Sequence, residues 1–532
     1  MTITAGYEFT WAARQFGERE AVVFQGQRLS FVEVNRRANR LANALIELGL
    51  NSDHRIAVLL NNCFESLDTV IGAEKAGVTY VALNARHTAA EQHKILKDAD
   101  PTVVIGGLEF EGILSEAVIG IDGIKAVYGL GWRHGDAEDY FGLVAGSSDE
   151  EPEVLVEPSD LMRIHYTSGT TGSPKGITIS YQRYYDRQNN FFTALEYGLD
   201  IGDSIIHVGP LTHAAGNYLI PYFIRGARNI IMPSFNPLEM QAIIERERVT
   251  SLLLVPTMLI RLLDELDRER FDLSSIKHIN YGMAPMPVEV LRRGIEAFGP
   301  IFREHYGLSE CPQPATLLYP HEHVLEGSEE AVRRLASCGR PTLNINIEIR
   351  NADGVAAPSG EVGEICIEAK GAANVGYWRS PGQYEENVRQ GWFHSGDLGW
   401  MDDEGYLFIV GRSKDMIISG GFNVYSREVE EALFAQADIK ETAVIGLPDA
   451  EWGEIVCAFV VRQPGSELDA STVIDHCRDL IAGYKKPRVV EFIETLPRNN
   501  SGKVDKAELQ LIFRERHGIK SPGSGGFVSA RY

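Results

Sequence analysis

The chain has 532 residues, 44% of them hydrophobic and 23% charged. This is ordinary globular composition with length for roughly three to four domain-sized units, and it excludes collagen-like and disordered classes. Lys and Arg total 51 against 74 Asp and Glu, a net charge of −23, which argues against sequence-independent nucleic-acid binding and against docking on anionic lipid. An anionic substrate would need a locally positive site against that field.

In chain order, residues 31–48 carry Phe31, Val34, Ala38, Leu41, Leu45 and Leu48 at spacings of three and four, the mark of an amphipathic helix packed on a core. Short apolar runs follow at Ile56–Leu60, Thr79–Leu83, Thr102–Gly106 and Ala126–Tyr128. The rhythm returns at Ile205–Gly209, Asn229–Met232 and Ser251–Pro256. Buried strands alternating with helical stretches predict βαβ units and mostly parallel sheets. From about residue 340, Ile345–Arg350, Glu364–Glu368 and Tyr406–Val410 are short and rich in β formers, with turn clusters between them. They predict antiparallel β structure closing the large domain. Beyond Gly411 the pattern predicts a small α+β domain: a helix over Ser426–Gln436 with Ser426 as its N-cap, strands at Glu441–Leu447 and Ile455–Val461, and a helix over Ala470–Ile481. The fold class is therefore α/β, with a large domain over 1–412 and a small α+β domain over 413–532. The tail Ser521–Gly526 is rich in Ser, Gly and Pro and reads as flexible.

The six cysteines are scattered with no CxxC pair. That argues against a disulfide scaffold or a structural zinc site and fits a reducing cytosol. Residues 1–20 show no apolar signal core, and no apolar run approaches the roughly 20 residues that span a bilayer. A cytoplasmic location is expected.

The densest chemical signal is Tyr166-Thr167-Ser168-Gly169-Thr170-Thr171-Gly172-Ser173-Pro174-Lys175-Gly176, with five Ser/Thr hydroxyls, three glycines and one lysine in eleven residues. Glycines let the backbone approach an anion and turn its N–H groups inward; hydroxyls add donors and the lysine a mobile charge. This is the composition of a polyphosphate cradle, although the Walker A pattern is absent.

The stretch resembles the phosphate loop of the adenylate-forming superfamily, which contains acyl- and aryl-CoA synthetases, peptide-synthetase adenylation domains and beetle luciferases. The resemblance runs in order from about residue 10 to residue 510. It implies that Thr167, Ser168, Gly169, Thr170, Thr171 and Gly172 hold ATP phosphates with Lys175. Pro210-Leu211-Thr212-His213 resembles the next motif, more often Pro-Leu-Phe-His, and implies that His213 lines the acyl pocket. Tyr281-Gly282-Met283-Ala284-Pro285 resembles the segment along the adenine and the pocket floor. Tyr306-Gly307-Leu308-Ser309-Glu310 resembles Tyr-Gly-x-Thr-Glu, implying that Tyr306 stacks on adenine and Glu310 holds the Mg²⁺ bridging ATP phosphates. Ser395-Gly396-Asp397 resembles the ribose motif, with Arg412 as a second ribose contact and Lys414 at the hinge position. Ser419-Gly420-Gly421-Phe422-Asn423 resembles the loop that swings in for the second half-reaction, Gly420 and Gly421 letting the chain pass beside pantetheine. Asn500-Ser501-Gly502-Lys503 resembles the C-terminal lysine motif, implying that Lys503 reaches the substrate carboxylate and α-phosphate.

The implied activity is ATP-dependent carboxylic acid:CoA ligation through an acyl-adenylate, with ATP, Mg²⁺ and coenzyme A. Ala214, Ala215, Gly216, Tyr281 and Met283 are expected to wall the acyl pocket. The partners are a small carboxylic acid, ATP and CoA, with no nucleic acid and no membrane span; a homodimer stays open. So do a stand-alone adenylation enzyme that loads a separate carrier protein and, more distantly, a catalytically silent binding protein. The lack of a carrier segment after residue 510 and of an Asp early in the Pro210–His213 motif favours CoA. His321 and His323 form an HxH pair with no third metal ligand suggested, and Cys311 reads as pocket lining.

Overall fold

The computed structural model describes residues 2–133, 137–167, 175–196, 198–211, 214–311, 313–369, 375–499 and 502–519. Two large sheets form the bulk of the molecule. One has eight strands, in the spatial order Val375–Tyr377, Lys175–Ser180, Leu161–Thr167, Thr79–Ala82, Arg55–Leu59, Val103–Gly107, Ala126–Leu130 and Glu138–Asp139. Its last six strands pair parallel, and the first two run antiparallel to their neighbours. The other has nine strands, with a parallel centre of Glu20–Phe24, Arg228–Ile231, Ser204–His207, Ser251–Leu254, His278–Gly282 and Phe302–Tyr306. These strands are mostly apolar because both faces of a parallel sheet are covered, and the polar side chains they carry, such as His207 and Asn229 bonded to each other at 2.8 Å, are buried with partners. Ile56, Ala57, Val58 and Leu59 are all fully buried.

The amphipathic helix is Phe31–Glu47. Ser30 caps it: the Glu33 amide donates to Ser30 Oγ (3.2 Å) and the Ser30 amide donates to Glu33 Oε2 (2.6 Å). Phe31, Val34, Ala38, Leu41 and Leu45 are buried, whereas Leu48 lies past the last turn and is exposed. Periodicity alone had carried the pattern one residue too far.

The predicted antiparallel region is a third, five-stranded sheet of Ile347–Arg350, Gly363–Glu368, Trp392–Met401, Leu407–Arg412 and Val388–Arg389. A fourth sheet, also of five strands, contains Ile417–Ser419, Phe422–Val424, Ile439–Asp449, Gly453–Arg462 and Val489–Phe492. Helices Ser426–Phe434, Ala470–Leu480 and Lys506–Arg516 belong to the same C-terminal region. Ser426 is not the N-cap expected of it. Tyr425 holds that position, and Ser426 is the first helical residue, its Oγ accepting from Lys506 Nζ at 2.7 Å.

One contact between the C-terminal region and the large domain runs through helix Ser426–Phe434. Glu431 Oε2 accepts from the backbone amide of Val288 (3.2 Å), the first residue of helix Val288–Phe298. A carboxylate from one region thus caps a helix of the other. Arg427 stands 3.6 Å from Glu431 and in electrostatic reach of buried Glu304, whose carboxyl burial pushes up to about 8.

Candidate active site

The third sheet builds the centre of the site with a bulge. Cys366 pairs with His394 and Glu364 with Leu398, so the edge between them advances two residues on one strand and four on the other. Ser395-Gly396-Asp397 lie there against the single residue Ile365, a surplus of two. Gly396 adopts φ 74°, a left-handed conformation that glycine accepts without strain. Three bonds clip the bulge: Gly396 N donates to Glu364 Oε1 (2.9 Å), Ser395 Oγ donates to the Ile365 carbonyl (2.6 Å), and Asp397 N donates to Ser395 Oγ (3.0 Å).

The bulge aims Asp397 at its neighbours. Asp397 pairs across strands with Arg412. Its carboxylate is buried, accepting from Arg412 Nε at 3.0 Å on Oδ1 and from the Tyr306 hydroxyl at 2.7 Å on Oδ2. Tyr306 ends a parallel strand of the nine-stranded sheet. Three predicted residues from separate motifs therefore meet in one hydrogen-bonded group. Burial and the Asp397 charge push the Tyr306 hydroxyl well above its ordinary range, so it stays a donor.

Lys503 comes from the C-terminal region to the same place. Its turn is held by Asn499: the Asn499 amide donates to the Lys503 carbonyl (2.8 Å), and the Lys503 amide donates to Asn499 Oδ1 (3.1 Å). Gly502, at φ 82°, lies so close to Arg86 that an added Cβ would stand 3.3 Å from Nη1. Lys503 is exposed by surface area, yet protein atoms flank its ammonium. Desolvation, then the neighbouring Arg412 charge, hold it below the usual lysine range, while Asp397 pulls the other way. An anion entering here meets two cations that already repel each other.

Glu310 and Lys175 form a second group. Lys175 Nζ stands over the Tyr377 ring, 5.2 Å from its centroid, and the Tyr377 hydroxyl donates to Glu310 Oε1 at 3.2 Å. The other carboxylate oxygen, Oε2, has no hydrogen-bond partner among the described residues, and Glu310 is half-buried. An oxygen donor at a half-buried position, joined through Tyr377 to a lysine, suits a hard divalent cation carried in with polyphosphate. The Ser309 carbonyl accepts from half-buried Arg183. Arg183 Nη1 is buried with no partner among the described residues.

Gly282 ends the strand beside Tyr306. Its φ is 154°, and an added Cβ would sit 2.3 Å from the His305 carbonyl oxygen and 2.8 Å from His305 Nδ1. Gly282→Ala is therefore expected to destabilise the protein by about 3 kcal/mol. The loss would register as a lower thermal unfolding midpoint together with weaker ATP binding. Met283 follows in the left-handed region at φ 66°. It packs on a cluster with Phe191, Ala215, Tyr218 and Leu317, and Ala284 is half-buried beside it. Phe191 and Tyr218 meet edge to face at 5.2 Å.

The expected pocket wall needs one change. Tyr281 points into a different core cluster, where its hydroxyl bonds Glu304 (3.3 Å) and His323 (2.9 Å). His323 is a buried structural partner, its Nδ1 also 2.8 Å from the Tyr319 carbonyl. Gly216 packs its Cα against the Leu211 carbonyl, where any Cβ would collide at 2.0 Å. Cys311 is buried, with its thiol pushed up to about 12 by burial, as befits pocket lining.

Ser168, Gly169, Thr170, Thr171, Gly172 and His213 lie outside the described residues, as does the side chain of Thr167. Lys414 is an exposed residue in the 3-10 turn Ser413–Asp415 between the third and fourth sheets. Gly420 and Gly421, at φ 59° and 82°, form the two-residue turn of the hairpin Ile417–Val424. Phe422, beyond that turn, is exposed and rests on Tyr484 at 4.8 Å.

Four contributors escaped the sequence reading: Glu364, Arg183, Tyr377 and Asn62. Asn62 is buried and holds the segment leading to His213 by accepting from Leu211 N (3.0 Å) and donating to the Gly209 carbonyl (2.9 Å). Its position just past a parallel strand, Arg55–Leu59, was the available signal.

Residues 9–378 match the AMP-binding enzyme family, and residues 428–503 match the AMP-binding enzyme C-terminal domain. The chain belongs to the adenylate-forming AMP-binding enzymes. A feruloyl-CoA synthase from Amycolatopsis sp is 33% identical over 504 residues, covering 94% of this chain and 97% of the relative. A medium/long-chain-fatty-acid–CoA ligase, FadD8, from Mycobacterium tuberculosis is 32% identical over 523 residues, covering 94% and 89%. The solved amide bond synthetase McbA from Marinactinospora thermotolerans superposes with a TM-score of 0.85 at 26% identity, covering 96% of this chain and 99% of its own. Among the described residues no helix is long and apolar enough to cross a membrane.

Proposed function

We propose that the chain is an ATP-dependent carboxylic acid:CoA ligase, forming an acyl-adenylate with release of pyrophosphate and then a thioester with release of AMP. The observation that carries the reading is the meeting of Lys503 with Asp397, Arg412 and Tyr306. The reading assigns residues 1–412 to the large domain and 413–532 to the small one, with Lys414 as hinge.

A carboxylate is a poor electrophile because it is anionic and would have to expel oxide. Attack of the carboxylate oxygen on the α-phosphorus breaks the bond to pyrophosphate and leaves AMP as the new leaving group. Two anions must approach, so catalysis is mainly positioning and charge stabilisation. Asp397 accepts from the ribose hydroxyls, with Arg412 as the second ribose contact. Tyr306 orients Asp397 through its hydroxyl and offers its ring to the adenine. Lys503 meets the substrate carboxylate and the α-phosphate, and Lys175 meets the outer phosphates. Residues 167–172 supply N–H and hydroxyl donors to those phosphates, Gly282–Ala284 border the adenine, and Ser309 precedes the metal-facing Glu310. Glu310 would hold Mg²⁺, which when bound neutralises phosphate charge. His213 borders the acyl group. For the second step the small domain turns, Lys503 leaves, and the Gly420–Gly421 hairpin comes to the pantetheine thiol.

Pyrophosphate release from Mg·ATP with a panel of carboxylic acids, each with and without CoA, tests this. Sustained turnover that requires CoA with one acid class supports the ligase. A single-turnover burst unchanged by CoA would replace it with a carrier-protein loader or an amine-acylating enzyme.

A further inference from the structure

The underside of the Asp397 bulge carries three metal-type donors. Cys366 and His394 are directly opposed on adjacent antiparallel strands, and Glu364 lies two residues before Cys366 on the same sheet face. His394 Nδ1 is 2.7 Å from Glu364 Oε2 and 3.5 Å from Cys366 Sγ. One donor atom from each residue falls within 4.8 Å of the others, the sole such grouping among the described residues. We propose that Glu364, Cys366 and His394 form a binding site for a single thiophilic divalent cation of the zinc class, seated directly behind the ribose-binding bulge.

The geometry suits that ion. With Zn–S near 2.3 Å and Zn–N near 2.05 Å, tetrahedral coordination sets sulfur and nitrogen about 3.6 Å apart. The 3.5 Å between Cys366 Sγ and His394 Nδ1 therefore needs almost no adjustment. The carboxylate is closer to the imidazole than tetrahedral edges allow, roughly 3.4 Å. It must retreat by several tenths of an ångström, opening the hydrogen bond that now joins them. One thiolate, one imidazole and one carboxylate, with a water completing four-coordination, favour zinc over the hard cations of nucleotide chemistry. The route is through Glu364, whose side chain is 29% exposed, while the Cys366 thiol is buried.

Glu348 faces Cys366 from the other neighbouring strand and is held aside by Arg350 at 2.8 Å, so a further carboxylate stands at the rim. Burial, then the neighbouring Glu364 and Glu348 charges, push the Cys366 thiol up to about 12, against the opposing pull of Arg350 and Arg389. Binding must therefore displace the thiol proton: Zn²⁺ and Cys–SH give a Zn–S bond and one H⁺ released to solvent. The imidazole proton moves from Nδ1 to Nε2. Affinity should rise with pH for that reason.

Sequence spacing could not reveal the site, because twenty-eight residues separate Cys366 from His394 and only the strand register joins them. Its consequence reaches the reaction. Glu364 Oε1 holds the Gly396 amide, so a carboxylate drawn toward a metal loosens the clip that aims Asp397.

The test uses full-length protein titrated with Co²⁺ as a spectroscopic stand-in, then with Zn²⁺ in competition against a chromogenic chelator. One equivalent is expected, with a thiolate-to-cobalt charge-transfer band, one proton released per ion, and displacement by Zn²⁺. Cys366→Val should abolish the band and weaken Zn²⁺ binding by at least about 100-fold. His394→Gln should weaken it comparably, which guards against a Cys366 variant that fails to fold. Wild-type protein without the charge-transfer band, or a band that survives Cys366→Val, overturns the proposal. These readouts do not depend on turnover, so they stand apart from the ligase assay.

Discussion

Lys503→Ala is expected to reduce acyl-adenylate formation by about 10²–10³-fold, the scale of removing one preorganised charge donor from a transition state. Thermal stability should be nearly unchanged, because Lys503 is exposed and its turn is fastened by Asn499 and by backbone bonds that the substitution keeps. Burst measurement of pyrophosphate release separates the first step. Supplying a synthetic acyl-adenylate with CoA separates the second, which should proceed at close to the wild-type rate. Equal loss of both steps would mean that Lys503 serves the closed arrangement and not the first transition state.

The charge environment adds a pH signature. Lys503 acts as a cation, and desolvation and Arg412 lower its proton affinity in the free enzyme. As pH rises, its charge is lost before that of an ordinary lysine. The kcat/KM for adenylation should therefore show an alkaline limb below 10.5, the unperturbed lysine value. Lys503→Arg should remove that limb, since guanidinium stays protonated throughout. A limb that persists in the arginine variant belongs to another group.

What could be read from the chain and what could not divide along physical lines. The parallel strands were legible because burial on both faces leaves a continuous apolar signature, as at Ile56–Leu59. Asp397 and Arg412 were legible only through resemblance; neither stands out by composition. What makes them a pair is cross-strand register, Asp397 opposite Arg412, which no local pattern encodes. Glu364 escaped for the same reason: one glutamate among many, until the bulge brought the Gly396 amide to it. Tyr281 was misplaced because its strand ends just beyond it. Alternation would set Met283 on the same face as Tyr281, but the strand ends at Gly282 and Met283 turns into the left-handed region, so it packs on the Phe191–Tyr218 cluster while Tyr281 turns to Glu304 and His323. Leu48 and Ser426 were end effects, where periodicity and capping preference say little about the last residue of a helix.

Asp397→Asn is expected to be the most damaging near-isosteric change in the site. The buried carboxylate accepts from Arg412 Nε and the Tyr306 hydroxyl, and the amide keeps the shape while losing the charge and one acceptor. Two effects should follow. Arg412 loses its counter-ion, but it is 43% exposed and can turn to water, so the stability cost should stay near 1 kcal/mol. The ribose loses a charged acceptor for its hydroxyls, worth about 1.5–3 kcal/mol per hydrogen bond, so kcat/KM for ATP should fall by roughly 10²-fold. The loss should appear mainly in KM for ATP and leave the apparent affinity for the carboxylic acid alone. Because Asp397 also draws the Lys503 ammonium toward its charged form, the alkaline limb should move to lower pH in the variant. That shift requires Asp397 and Lys503 to share one field across the two sheets. An unmoved limb would place them in separate sites, and the reading of a single adenylation centre would fail with it.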